Sequence, residues 1–148
     1  MSRIPRVLEH LKTGFTSEAV AAARYRTYAH RAEADGRPQL ARRWRELAQE
    51  KDELARLQLE ATGQVRGGAT DLTAEIAEER YENEVLYPKL IRDSGTDGAV
   101  GLFQQVIEAQ KDHLERLTAL RRALGASEGD VQMPEEVAQP GEPVTAST

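Results

Sequence analysis

The sequence predicts an all-α protein built as a four-helix bundle. Three observations predict it. Apolar residues recur at steps of three and four in four separate segments, turn-forming stretches divide those segments, and no stretch alternates apolar with polar residues as a strand would. A chain of 148 residues suits one domain and can bury a core.

The elements follow in order. Residues 1–15 read as a short helical lead-in containing Leu8 and Leu11. The first helix runs from about Ser17 to Ala34, with Thr16 or Ser17 as its cap and Gly36 at its end. Pro38 suits the first position of the second helix, which runs to about Thr62. The stretch GQVRGGATD, Gly63 to Asp71, is a loop. The third helix runs from near Leu72 to about Asp93, and Pro88 inside it should kink it or end its regular part. After the loop SGTDG, Asp97 caps a fourth helix that reaches about Leu124. The bundle therefore occupies residues 1–125. Residues 126–148, with three prolines, several acids and few large apolar groups, read as a disordered acidic tail.

Composition excludes several classes. The net charge is −5, which offers no basic footprint for nucleic acid. There is no cysteine, hence no disulfide, zinc–thiolate site or iron–sulfur cluster. The apolar runs are too short to span a bilayer, and the N-terminus lacks the apolar block of a signal peptide. A cytoplasmic location is the expectation.

The stripes carry an anomaly. On the fourth helix Val100, Phe103, Ile107, Gln110, Leu114 and Leu117 share a face, with His113 at its edge. On the second, Leu40, Leu47, Leu54 and Leu57 do so, interrupted by Glu50. Glu18 shares a face with Ala22, Tyr25 and Ala29. Glu79 lies with Ile76, Leu86 and Leu90, and Glu82 is close by. Every helix thus places a polar group among its core positions. Buried charges survive by pairing or by coordinating metal. Bundle cores host carboxylate metal sites with a Glu from each of two helices and a Glu-x-x-His pair from each of the other two.

The phrases FTSEAVAAARYRTYA (15–29), WRELAQEKDEL (44–54), EERYENEVLYP (78–88) and FQQVIEAQKDHLERL (103–117) together resemble the rubrerythrin-like branch of the ferritin-like family. The likeness covers roughly residues 8–124. It implies a ferritin-like bundle that binds two irons and reduces peroxide or activates dioxygen. It also implies an external electron donor, because a rubredoxin domain would need cysteines. On this resemblance Glu18 matches the first-helix carboxylate, Glu79 and Glu82 the third-helix pair, and His113 the fourth-helix histidine. Gln110 stands where a Glu is expected. Glu50 matches the second-helix Glu, and Glu53 takes the place of its histidine. Two of these seven positions depart from the pattern. Tyr25 resembles a family tyrosine that hydrogen-bonds a ligand carboxylate. Tyr25 and Gln110 are thus candidates to steady a ligand or a bound oxygen species.

Two registers compete on the second helix. One turns Glu50 and Glu53 inward. The other turns Trp44, Leu47, Lys51, Leu54 and Gln58 inward, with the Lys51 ammonium beside Glu18. The first is favoured because EKDELARL (50–57) repeats as QKDHLERL (110–117) with five of eight letters identical. In that register Glu18, Glu50, Glu53, Glu79 and Glu82 converge. They then need cations or protons to stay buried. Oxygen-rich donors with one imidazole suit iron or manganese, as one or two ions. Read singly, Glu50 and Glu53 are ordinary surface groups and His113 an ordinary packed histidine. A metal-storing or metal-free bundle serving as a structural or interaction module is the alternative.

Assembly follows from loop length. The second helix is about 37 Å long, and nine loop residues reach at most about 30–35 Å. A link along the whole bundle within one chain has no slack. An up-down-up-down bundle avoids the crossing. A homodimer that swaps helix pairs does so too, and would set Glu18, Glu50 and Glu53 of one chain against Glu79, Glu82 and His113 of the other.

Overall fold

The computed structural model describes residues 4–132. All regular structure among them is helical: α1 (Ile4–Ala34), α2 (Pro38–Ala61), α3 (Gly68–Tyr81), a π turn (Glu82–Leu86), α4 (Tyr87–Ser94) and α5 (Ala99–Gly125). Counting α3, the π turn and α4 as one rod, the four expected helices are present. No helix among the described residues is long and apolar enough to cross a membrane. Most of the tail expected over 126–148 lies outside the described residues. The chain divides into two compact units, one up to Arg66 and one from Gly67 onward.

In the first unit α1 runs unbroken through the expected lead-in. Thr16 is therefore no cap. It sits inside the helix, and its hydroxyl donates back to the Lys12 carbonyl at 2.9 Å. Gly36, at a positive φ of 74°, closes α1, and Arg37 N–H returns to the Ala32 carbonyl at 2.8 Å. Pro38 then opens α2, where its missing N–H costs nothing.

The α1–α2 seam is made of alanines. Ala21, Ala22, Ala29 and Ala32 on α1, with Ala41, Ala48 and Ala55 on α2, are its buried residues. Small side chains let two backbones approach and lose no rotamer entropy. Near the open end, a Cβ added at Gly14 would run into the side-chain amide of Gln58. At the turn end Trp44 packs on Tyr25 and Tyr28, each ring centre 5.1 Å from its own. Ion pairs flank the seam, Arg26–Asp52 at 2.6 Å and Arg45–Glu33 at 2.8 Å.

The leucine stripe is not on this seam. Leu40, Leu47, Leu54 and Leu57 keep 44%, 45%, 47% and 50% of their surface exposed. Sequence periodicity found an apolar face of α2, but α1 packs beside that face, on the alanines.

In the second unit the α3–π–α4 rod packs against α5. Ile76 is its buried apolar anchor, and Tyr87 faces Phe103 at 6.0 Å. Pro88 acts as expected, ending the regular α-helix upstream of itself. Lacking an N–H, it sits in the first turn of α4, where none is needed. The disturbance is taken up one turn earlier, where Tyr87 N–H reaches the Glu82 carbonyl, a step of five. Asn83 Nδ2 ties the π turn to α5 through the Ile107 carbonyl at 3.0 Å. Asp97 accepts Ala99 N–H at 2.8 Å, as its capping role requires.

Candidate metal centre

In the first unit the seam carries one charged pair. Lys51 Nζ lies 2.7 Å from Glu18 Oε2, with the two side chains 30% and 21% exposed. The hydrogen bond to Glu18 raises the Lys51 pKa against the opposing effect of burial. Of the two registers, the α1–α2 hairpin adopts the one with Lys51, not Glu50, facing α1. The reason is the alanine set. Ala41, Ala48 and Ala55 recur every seven residues, and turning them to α1 carries Trp44 and Lys51 with them. Glu50, one residue and about 100° away, is exposed. Glu53 is exposed too. It pairs with Arg56, which also holds Glu60 at 2.9 Å, and the Arg56 hydrogen bond lowers the Glu53 pKa. Tyr25 is half-buried in the aromatic cluster with Trp44.

In the second unit Glu75, Glu79 and Glu82 recur at steps of four and three along α3 and into the π turn, opposite Gln110 and His113 of α5. Gln110 is buried and donates through Nε2 to Glu82 Oε2 at 2.6 Å. His113 Nδ1 lies 3.5 Å from Glu79 Oε1, with side-chain exposures of 42% and 15%. Three buried acceptors on these elements, Glu79 Oε2, Asn83 Oδ1 and Gln110 Oε1, have no hydrogen-bond partner. Partial burial, then the charges of Glu79, Glu82 and Glu78, push the Glu75 pKa up. Glu75, Glu79 and His113 line an open cleft of about 250 Å³ whose floor includes Leu117 and Leu120.

The candidates therefore divide. Glu79, Glu82, Gln110 and His113 share one hairpin face, and Glu18 meets a lysine in the other hairpin. Among the described residues no three His, Asp or Glu side chains gather closely enough to hold a metal ion. Lys51 beside Glu18 was the less favoured of the two registers read from the sequence, and Glu75 was not read as a member of the site. A seven-residue alanine spacing is the signal that places Lys51, and a four-residue step back from Glu79 places Glu75.

Four helical rods and no strand among the described residues are the make-up of a ferritin-like four-helix bundle. The chain belongs to the rubrerythrin family: the family model described as Rubrerythrin matches residues 9–121. No curated protein matches the chain.

Rubrerythrin-type bundles hold two metal ions. In the first hairpin Glu18 Oε2 is a buried oxygen without a hydrogen bond, but the Lys51 ammonium 2.7 Å away already neutralises it. In the second hairpin Glu79 Oε2, Asn83 Oδ1 and Gln110 Oε1 are buried acceptors without a partner and with no cation beside them, the kind of oxygen a metal ion would satisfy.

Proposed function

We propose that this chain is a redox metalloprotein of the rubrerythrin type that holds a single iron or manganese ion on its second hairpin. The observation that carries the reading is the unpartnered, buried Glu79 Oε2 beside His113. Glu79 and His113 would hold the ion. Glu82 would join if it exchanged its hydrogen bond from Gln110 for the metal. When bound, such an ion supplies one-electron chemistry toward peroxide or dioxygen. The chain's own groups do the rest. Glu79 and Glu82 set the negative charge of the site. Gln110 fixes the rotamer of Glu82 by donating to it, and its free Oε1 can accept a proton-bearing ligand atom. The cleft over Leu117 and Leu120 admits a small oxidant.

Elemental analysis of protein purified with iron or manganese should find one ion per chain, and His113→Ala should lower that occupancy. Unchanged occupancy in the variant rejects the assignment. Peroxide consumption with an added reductant then separates turnover from storage.

A second reading, a metal-free interaction module, draws on the Lys51–Glu18 and Gln110–Glu82 contacts, which satisfy two of the four matched carboxylates without any metal.

We also propose a homodimer. Among the described residues no large side chain is fully buried, and the α2 leucine stripe lies about half exposed. A second copy would cover it, in the manner of the swapped helix pairs expected from loop length. A monomeric mass by sedimentation at micromolar concentration would count against it.

A further inference from the structure

We propose that Lys51 is a built-in cation that closes the Glu18 half of the centre to metal, so that the di-metal pattern of this bundle survives as one site at most. The inference needs the helix pattern and the first hairpin only; it stands whether or not an ion sits at Glu79 and His113.

Four-helix carboxylate centres draw a Glu-x-x-His pair from each of two helices. Three-residue spacing is what puts both ligands on one side of a helix. With α2 in its observed register, Lys51 faces Glu18, and Leu54, three residues on, lies on the half-exposed stripe beside the seam. An ammonium has three donors and no acceptor, and a leucine has neither, so this pair can ligate nothing. What the ammonium can do is neutralise Glu18, and it lies 2.7 Å from Glu18 Oε2. A divalent ion brought to Glu18 would meet a fixed positive charge and would have to expel it.

The same exchange recurs in the second hairpin. Gln110 occupies the Glu position of Gln110-x-x-His113, and its amide donates to Glu82 Oε2 at 2.6 Å. In each hairpin a side chain offers N–H to a carboxylate that the pattern gives to metal: Gln110 from the Glu position of its pair, and Lys51 from one residue past Glu50, which that pattern makes the Glu. In each, that N–H goes to the carboxylate of the neighbouring helix. The two substitutions differ in consequence. Gln110 is neutral and keeps a free Oε1, and His113 beside it keeps a ring nitrogen that can ligate. Lys51 carries a full charge and Leu54 offers no donor atom. Only the first half is closed.

The test is the number of ions per chain after anaerobic loading of the full-length protein with Fe(II) or Mn(II) and desalting, read by elemental analysis. The wild type should hold no more than one ion, and Glu18→Gln should leave its content unchanged. The double substitution Lys51→Glu with Leu54→His should gain one further ion per chain. Two ions in the wild type, a fall in content on Glu18→Gln, or no gain in a folded double variant would each overturn the proposal. If the double variant does not fold, the wild-type and Glu18→Gln contents decide alone. A drop on His113→Ala bears on the second-hairpin ion and leaves this count-based test independent.

Discussion

Replacing Leu47 and Leu54 together by glutamine tests whether a second copy covers the α2 stripe. The two side chains are 45% and 47% exposed. Burying a leucine completely stabilises by about 1.5–3 kcal/mol, so the half still exposed is worth roughly 0.7–1.5 kcal/mol per residue on association. Two residues give about 1.5–3 kcal/mol. A twofold dimer presents each of them twice, which brings the loss to about 3–6 kcal/mol. At 1.4 kcal/mol per decade, the dimer dissociation constant should weaken by about two to four decades. Sedimentation velocity from nanomolar to high micromolar concentration reads this directly. Thermal melts at two protein concentrations supply a second measure, because only an associating protein melts at a concentration-dependent temperature. If the stripe faces water, the double variant should differ from wild type by no more than about 0.5 kcal/mol per site. Identical sedimentation and melting of the two proteins would therefore refute the covered stripe.

Other outcomes are as specific. Ile76→Ala should destabilise by about 2–4 kcal/mol in urea melts, because Ile76 is the buried apolar anchor of the second hairpin; a loss under 1 kcal/mol would mean that the rod is held elsewhere. Gly14→Ala should be neutral or stabilising by up to about 1 kcal/mol. The helix gains propensity, and the clashing atoms are the far end of the Gln58 side chain, which can swing away. A clear loss on melting would show Gln58 to be fixed. The folded-state pKa of Lys51 lies above its ordinary value of 10.5, so its contribution to stability is complete below that value and is lost as pH rises through the raised pKa. Lys51→Met should remove that alkaline loss, and melting curves between neutral and strongly alkaline pH compare the two. Glu75 is also raised, but as an acid, so stability should fall as pH climbs from the ordinary carboxylate range through its folded value. Glu75→Gln should flatten that segment of the profile.

The four rods, the Gly36 turn, Pro38 at a helix start, the Asp97 cap and the break at Pro88 were all legible in the sequence, because each rests on local backbone chemistry. The face of α2 was harder to read. Leucines outweigh alanines on any hydropathy count, yet alanines make the closer seam, so the stripe chosen by periodicity is not the one α1 touches. The repeat of EKDELARL in QKDHLERL pointed toward Glu50 for a related reason. It records how two segments match letter by letter and carries no information about which neighbour each helix faces. The second-hairpin set of Glu79, Glu82, Gln110 and His113 was readable, since spacing on one helix against spacing on another suffices there. That Gln110 would donate to Glu82 was not. An amide offers both N–H and C=O, and only packing chooses between them.

The π turn at Glu82–Leu86 makes chain length itself a variable of this protein. One surplus residue is stored in that widened coil. Deleting a single residue between Asn83 and Leu86 would let the rod wind as an ordinary α-helix, because the Tyr87 N–H that reaches the Glu82 carbonyl by a step of five would reach it by a step of four. Tyr87 would stay against Phe103 and Glu75 and Glu79 would keep their bearing, whereas the same loss in the regular part of α3 would swing one side of the rod by about 100° against the other. This turn is thus the one stretch of the rod where a codon can be lost without re-aiming the side chains on either side of it.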